Sequence, residues 1–196
     1  MAEQPGVAAA VDAEGLARAR AGGVSLVPWD AAWPARFAEA RAAILAACEG
    51  VVLGVEHIGS TSIPGIGAKP YLDIMPGLRT FEDGERMVAA MASLGYVYRG
   101  EYGISGRHYF SKHIHDDPHM WKHNVHSHVI GCADWERHVA FRDALRADDA
   151  LRDEYWRLKL ELAARHPADV QAYADAKSEF VDRVIAAHGG PPRPPG

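Results

Sequence analysis

Residues 56–73, Glu-His-Ile-Gly-Ser-Thr-Ser-Ile-Pro-Gly-Ile-Gly-Ala-Lys-Pro-Tyr-Leu-Asp, decide the fold, because a turn of small residues here joins two apolar runs. The turn Gly59-Ser60-Thr61-Ser62 offers backbone N–H groups and three hydroxyls in succession, which is typical of a cradle for phosphate oxygens. Lys69 adds a positive charge nearby. Asp73 lies inside the second apolar run, where a carboxylate needs a partner or a task. The stretch therefore predicts a phosphate- or nucleotide-binding site.

The surrounding pattern predicts an α+β fold. Pro34 opens a helix, and a later helix closes at Gly95. Helical periodicity then continues from Asp134 to the end of the ordered chain. Strands in one part and consecutive helices in the next favour a mixed β-sheet with flanking helices and a C-terminal helical segment. The predicted strands are Val51 to Ile58, Tyr71 to Met75 (ended by Pro76-Gly77), Tyr96 to Tyr98, Arg107 to Lys112 and Trp121 to Ile130.

Length and composition predict one domain with two tails. The chain has 196 residues, and we expect a flexible tail at 1–23, a single domain at 24–188 and a Pro/Gly-rich tail at 189–196. A net charge of −5 argues against nucleic acid as a partner. Cys48 and Cys132 form no C-x-x-C pattern, so a reducing cytoplasm is the expected compartment. No apolar run approaches the roughly 20 residues of a membrane span.

Strand alternation gives Asp73 a defined face. It places Asp73 with Tyr71 and Met75, away from the aliphatic side of the strand. A structural role, in which Asp73 caps a turn or pairs with Lys69, is the alternative. Because turn, lysine and acid fall within one short segment, we favour a functional carboxylate.

Histidines are concentrated in the middle of the chain. Seven of the eleven lie between His108 and His128. In the predicted strand His126 and His128 share one face, a spacing suited to binding one metal ion or one anion. A purely structural role for this pair is an equally weighted alternative.

Two lysines interrupt the apolar stripes of the C-terminal helices. Lys159 follows Tyr155 by four residues, and Lys177 follows Tyr173 by four residues. An inward lysine is costly unless it reaches an anion or extends its stem to solvent. The repeated spacing favours a shared anion, with extension to solvent as the alternative.

Residues 57–74 resemble the signature of the GrpB family, whose fold is similar to that of nucleotidyltransferases of the polymerase-beta type. Domains related to this family also occur fused to dephospho-CoA kinase, which implies nucleotide or coenzyme-A chemistry. Further motifs stand in the family's order: Val27-Pro-Trp-Asp30, Trp33-Pro34, Arg107 with Phe110 and Lys112, His126-Ser-His128, Tyr155 with Lys159, and Tyr173 with Lys177.

The resemblance implies a specific division of labour. In nucleotidyltransferases of this fold a Gly-Ser turn holds triphosphate, and an Asp-x-Asp/Glu strand with a further acid holds two divalent cations. Gly59-Ser60 and Asp73 fit this plan, but Met75 occupies the second acid position, and a thioether is a poor ligand for Mg²⁺. A mixed site of Asp73, His126, His128 and His57 would better suit Zn²⁺, Mn²⁺, Fe²⁺ or Ni²⁺.

The leading hypothesis is a nucleotidyltransferase-like enzyme that acts on an anionic or phosphorylated small molecule, with a nucleoside triphosphate as the candidate donor. Catalysis is assigned to Asp73, His126 and His128. A metal-dependent His/Asp protein without nucleotide is the first alternative, and a catalytically silent phosphometabolite-binding module is the second. The residues expected to bind phosphate or line an anionic pocket are Gly59, Ser60, Thr61, Ser62, Lys69, Arg107, Lys112, Lys159 and Lys177.

Overall fold

A computed structural model describes residue 17 and residues 21–117 and 119–194. Most of the predicted tail at 1–23 lies outside the described residues, as do the last two residues of the tail at 189–196. Within the described part, a five-stranded sheet has the order β1-β2-β5-β4-β3. The strands are β1 (Gly54–Ile58), β2 (Tyr71–Leu78), β3 (Val97–Tyr98), β4 (His108–His113) and β5 (Lys122–Val129).

The sheet is mixed because its two central strands run in the same direction. β2 pairs in parallel with β5, whereas β1 with β2, β4 with β5 and β3 with β4 are antiparallel. The parallel register aligns Asp73 with Asn124. Paired residues point to the same face of a sheet, so the polar positions of β2 and β5 form one continuous surface.

Two helices cover the aliphatic face of the sheet. They are α1 (Trp33–Ala47), which has Pro34 in its first turn, and α2 (Asp83–Ser93). Leu72 and Ile74 of β2 are fully buried in one core cluster with Ile44 of α1 and Met87 of α2. This cluster holds the strands that carry the polar surface on the other side.

Four helices pack against the polar side. They are α3 (Ala133–Ala147), α4 (Asp149–Arg165), α5 (Val170–Asp175) and α6 (Ser178–Ala187). A second apolar cluster joins Leu145 of α3, Tyr155 of α4 and Val184 of α6 to Ile63 and Ile66, which follow the turn after β1. The C-terminal helices are therefore anchored to the loop between β1 and β2.

The structure confirms the α+β class. Several strand bounds differ from the expected ones, with β1 beginning at Gly54 instead of Val51, and two further differences change the interpretation of the chain. β2 continues through Pro76-Gly77 to Leu78, and its pairing with β5 passes from Ile74 to Gly77, leaving out Met75 and the Pro76 that lacks an N–H. The single last helix expected from the stripe Val170 to Val184 is two helices. Between them the Lys177 N–H donates to the Ala174 carbonyl at 3.3 Å, an i→i−3 bond of the 3₁₀ type in place of the α-helical i→i−4 bond. No helix in the described ranges is long and apolar enough to cross a membrane.

A close approach at Gly84 generates the first prediction. A Cβ on Gly84 of α2 would lie 2.1 Å from Cδ2 of His108, whose ring stacks on Phe81 and bonds to Tyr98. Gly84→Ala should therefore destabilise the protein by about 1–3 kcal/mol, although alanine is the better helix former by about 1 kcal/mol. Urea unfolding measures the free energy. Gly54→Ala is the matched control, since nothing lies within 4 Å of its Cβ position. Equal stability of both variants would contradict the overlap.

Candidate functional site

A small cavity lies between the polar face of the sheet and the C-terminal helices. Its volume is about 130 Å³. The sheet contributes Asp73 and Asn124, and the turn after β1 contributes Ser60. The cavity is lined by Ser60, Thr61, Ala68, Lys69, Tyr71, Asp73, Asn124, Lys159, Tyr173 and Lys177. Six of the predicted site residues are thus brought together in one place: Ser60, Thr61, Lys69, Asp73, Lys159 and Lys177.

The turn after β1 is built against the Asp73 carboxylate. Gly59 has φ +67° and ψ −175°, a conformation that L side chains rarely adopt. A Cβ at this position would lie 2.3 Å from Oδ2 of Asp73. Both the backbone conformation and the contact with the carboxylate therefore require glycine at Gly59.

The hydroxyls of the turn divide between structural and cavity roles. Ser62 Oγ donates to the Gly59 carbonyl at 2.6 Å, and Thr61 Oγ1 lies 3.0 Å from Nε2 of His57. The Ser60 hydroxyl lines the cavity and bonds to Tyr155. The N–H groups of Ser62 and Ile63 also donate back within the turn. Fewer hydroxyls than predicted are therefore available to a ligand, because the hydroxyls of Thr61 and Ser62 bond within or beside the turn.

Asp73 is held as an ionised carboxylate by its neighbours on the sheet. Asn124 Nδ2 donates to Asp73 Oδ1 at 2.9 Å, and His126 Nε2 lies 3.5 Å from the same oxygen. Burial alone would raise the pKa of Asp73, but the bonds from His126 and Asn124 and the charge of Lys69 outweigh it and lower the pKa. Asp73 is therefore ionised at neutral pH.

Arg107 fixes the proton position on His126. Its Nη1 lies 3.2 Å from Nδ1 of His126, and an arginine only donates, so Nδ1 accepts and the ring proton sits on Nε2, towards Asp73. Arg107 also donates to the carbonyls of Glu101 and Tyr102. Arg107 is thus a positioning residue in the sheet rather than a wall of the cavity.

Three lysines from three chain segments converge on the cavity. Lys69 precedes β2, Lys159 lies within α4, and Lys177 stands at the α5–α6 junction. Lys159 is 2% exposed, and its Nζ donates to the Gly67 carbonyl at 2.5 Å. Tyrosine rings hold the ammonium groups in place: Lys177 Nζ lies 4.3 Å from the Tyr173 ring centroid, and Lys69 Nζ lies 5.7 Å from the same centroid.

The lysines perturb one another. Burial and the charges of Lys177 and Lys69 lower the pKa of Lys159 well below its usual range. Burial and the Lys69 charge lower the pKa of Lys177 to about 8, against the opposing effect of Asp73. Burial also lowers the pKa of Lys69. Three cations facing one carboxylate form an environment that favours a bound anion.

Two predicted site residues lie on the opposite face of the sheet. Lys112 pairs with His123 in the register, and its Nζ donates to the Leu94 carbonyl at 2.8 Å. His57 stacks on Phe37 of α1 with ring centroids 4.5 Å apart. Two expectations are therefore corrected. Lys112 does not line the anionic pocket, and His57 does not join Asp73 as a ligand, because both side chains lie on the face opposite Asp73.

His128 shares the face of His126 as expected, but it is directed into the protein. Its side chain is buried, and neither ring nitrogen has a hydrogen-bond partner within the described part of the chain. The His138 ring of α3 lies 6.0 Å away, and burial lowers the pKa of His128 to about 3. In the described ranges no group of three or more His, Cys, Asp or Glu side chains is arranged to hold a metal ion.

Sequence reasoning missed three side chains of this network. Asn124 holds Asp73, the Tyr109 hydroxyl donates to Asn124 Oδ1 at 2.8 Å, and His138 approaches His126 from α3. Strand alternation could have found two of them, because Asn124 stands two residues before His126 and Tyr109 stands two residues after Arg107. His138 gave no such signal.

The fold and the site define an α+β protein in which a Gly-Ser turn rests on a strand carboxylate, consistent with the nucleotidyltransferase-like superfamily. The family model described as GrpB protein matches residues 23–187, and the chain belongs to this family. The solved GrpB structure from Enterococcus faecalis has a TM-score of 0.74 at 32% identity, covering 83% of this chain and 96% of that one.

Curated relatives carry the same family assignment. A UPF0157 protein of Pseudomonas aeruginosa is 38% identical over 164 residues, which are 83% of this chain and 66% of the relative. UPF0157 protein YqkA of Bacillus subtilis is 35% identical over 158 residues, which are 81% of this chain and 45% of the relative. The chain therefore spans less than two thirds of either relative. A more distant similarity, 27% identity over 80% of this chain, is to 44% of a dephospho-CoA kinase of Mycolicibacterium paratuberculosis.

The contact between Gly59 and Asp73 generates the second prediction. Gly59→Ala should destabilise the protein by more than the roughly 1–2 kcal/mol of a left-handed backbone, because the new methyl also displaces the carboxylate. Gly50→Ala is the matched control, since Gly50 has φ +74° and nothing within 4 Å. Thermal or urea unfolding measures both. A Gly59→Ala cost no greater than that of Gly50→Ala would contradict the contact.

Proposed function

We propose that the protein is a nucleotidyltransferase-like enzyme that transfers part of a nucleotide to a small molecule, with the lysine cavity as the phosphate site. One observation carries this proposal: Lys69, Lys159 and Lys177 converge on a cavity whose floor holds Asp73. The cavity presents positive charge to a ligand and a proton acceptor to a reacting group, side by side.

The charges favour a ligand with several anionic oxygens. Three ammonium groups face one carboxylate around a cavity of about 130 Å³. Burial is the main reason that the pKa values of Lys159 and Lys177 are lowered, and repulsion between the neighbouring lysine charges adds to it. A phosphate group supplies oxygens that each accept charge-assisted hydrogen bonds, so its binding would relieve this repulsion.

Asp73 is suited to act as the general base. Its carboxylate is ionised, and His126 and Asn124 fix its orientation from the sheet. In the proposed step the acceptor oxygen bonds to the α-phosphorus while the bond to the bridging oxygen breaks. The electron pair leaves with pyrophosphate, and the acceptor proton passes to Asp73. The lysines stabilise the charge that develops on the phosphate oxygens.

The distant dephospho-CoA kinase similarity supports a phosphorylated small molecule as the ligand class. The hypothesis of a histidine metal site gains no comparable support, because His57 lies on the other face and His128 points into the protein. A silent phosphometabolite-binding module is the second candidate function, and one observation favours it. Met75 stands where a second acid would be expected and is fully buried.

Lysine substitutions test the phosphate site. Lys69→Met and Lys177→Met should each weaken ATP binding by roughly ten- to hundredfold, since a charge-assisted hydrogen bond contributes about 1.5–3 kcal/mol. Isothermal titration calorimetry measures the affinity. Lys112→Met is the matched control, because that lysine lies on the opposite face and should leave binding unchanged. If wild-type protein binds neither ATP nor pyrophosphate at millimolar concentration, the phosphate site is disproved.

Asp73→Asn separates binding from chemistry. The substitution removes the negative charge that faces the bound phosphates, so ATP should bind at least as tightly as to wild type, while any release of pyrophosphate is lost. Calorimetry and a pyrophosphate-release assay with a panel of hydroxyl acceptors measure the two effects. Turnover at the wild-type rate in Asp73→Asn would exclude the base role. Binding without turnover in wild type would select the silent module.

The lowered pKa of Lys177 predicts a pH dependence of binding. The free cavity loses the Lys177 charge as pH rises through about 8, whereas a bound anion raises that pKa. Anion affinity should therefore be greatest below pH 8 and should fall above it, accompanied by proton uptake on binding. Pyrophosphate titrations in buffers of different ionisation enthalpy measure both. In Lys177→Met the fall near pH 8 should be reduced, and its persistence unchanged would argue against this assignment.

A further inference from the structure

We infer that the cavity binds its phosphorylated ligand free of divalent cations, with lysine ammonium groups standing in for the cation pair that the nucleotidyltransferase fold implies. This inference rests on the proposed function and names its ligand class: a metal-free polyphosphate such as a nucleoside triphosphate or pyrophosphate. The inference is based on one arrangement: the Asp73 carboxylate, already hydrogen-bonded to Asn124, faces Lys69, Lys159 and Lys177 across the cavity.

The donor set does not fit a pair of divalent cations. Asp73 is the one acidic side chain among the described residues that line the cavity. Its Oδ1 accepts from Asn124 at 2.9 Å and faces His126 at 3.5 Å, while Oδ2 packs on the Cα side of Gly59. Mg²⁺ needs several oxygen ligands in octahedral geometry. One carboxylate offers too few oxygen ligands to organise two such ions.

Met75, which occupies the position of the second acid, is neither a suitable ligand nor accessible. Met75 is 0% exposed and lies on the same face of β2 as Asp73. It pairs with Glu56 of β1. The Glu56 carboxylate is 2.5 Å from Arg142 of α3, so an arginine already neutralises the nearest strand acid. A hard cation would find a thioether and an existing ion pair along this edge.

The lysines supply the charge that metal ions supply elsewhere. Lys69 lies close enough to Asp73 for each charge to shift the other's pKa. Lys159 and Lys177 line the cavity from the helical side and form with Lys69 a ring of three lysines. Lys122 stands outside this lining, with its Nζ 6.0 Å from the Tyr71 ring centroid. A compact ammonium group donates three hydrogen bonds without requiring an ordered coordination shell. Such a ring neutralises phosphate oxygens directly and repels a free cation.

Magnesium should act on this site as a competitor for the ligand. A magnesium ion bound between the β- and γ-phosphates neutralises the oxygens that the lysines would contact. An enzyme that uses a cation pair shows the reverse, because there the ion joins nucleotide and carboxylates. The direction of the magnesium effect therefore distinguishes the two arrangements.

The test is calorimetric titration of the full chain with ATP and with pyrophosphate, once in EDTA and once in excess magnesium. We expect binding in EDTA that weakens by roughly tenfold in magnesium, the equivalent of one charge-assisted contact. Affinity that is unchanged or higher in magnesium overturns the inference and leaves the proposed phosphate site standing. Absence of binding in both conditions overturns the phosphate site as well.

Two lysine variants sharpen the result. In Lys69→Met the magnesium effect should shrink. With one lysine fewer, the cavity makes fewer contacts to phosphate oxygens that a bound magnesium ion could weaken. In Lys112→Met it should match wild type, since that side chain bonds to Leu94 on the far face. The thermal unfolding midpoint of each variant shows whether it is folded. A magnesium effect of equal size in Lys69→Met and wild type counts against the lysine ring.

Discussion

The contact between the Asp73 carboxylate and Gly59 constrains the whole polar side of the sheet. It fixes the direction in which the chain leaves β1, because a residue with a Cβ would collide with Oδ2. The turn that results carries Ser60 to the cavity and sends Ile63 and Ile66 into the core beneath the C-terminal helices. One packed carboxylate thereby links strand, turn and helical layer.

Strand parity gives the sheet one apolar face and one polar face. On one face Leu72, Ile74 and Val125 are fully buried against α1 and α2, and this cluster keeps the central parallel pair in register. On the other face the same register brings Asp73, Asn124 and His126 into one hydrogen-bonded row. This row is partly buried, and the cost of removing it from water is offset because each member has a partner.

Much of the arrangement could be predicted from the chain because its signals are local. The Gly59 turn, Lys69 and Asp73 lie within one segment, and the spacing of Tyr155 to Lys159 marked an inward lysine. Strand parity also argues against one expectation, that Arg107 and Lys112 line the same pocket. They are five residues apart, and an odd separation in a strand puts two side chains on opposite faces. The position of His57 depends on pairing between distant residues, Ile58 with Asp73, which strand patterns alone do not specify.

The helical end of the chain was harder to predict. An apolar stripe from Val170 to Val184 has the period of one helix, whereas the helix breaks before Lys177 with an i→i−3 bond to the Ala174 carbonyl. The partner of His126 on α3, His138, is defined only once that helix packs on the sheet. Periodicity describes an element, whereas these features arise where elements meet.

The three cavity lysines come from different layers of the fold, so a ligand bound to them would connect those layers. Lys69 belongs to the sheet layer, Lys159 to the middle of α4 and Lys177 to the junction of two later helices. An anion that contacts all three would add a further link between layers that are already joined by apolar packing and by bonds such as that of Lys159 to the Gly67 carbonyl. Occupancy would then be felt along the C-terminal helices as tighter docking, because a ligand shared by several segments stabilises only their assembled state.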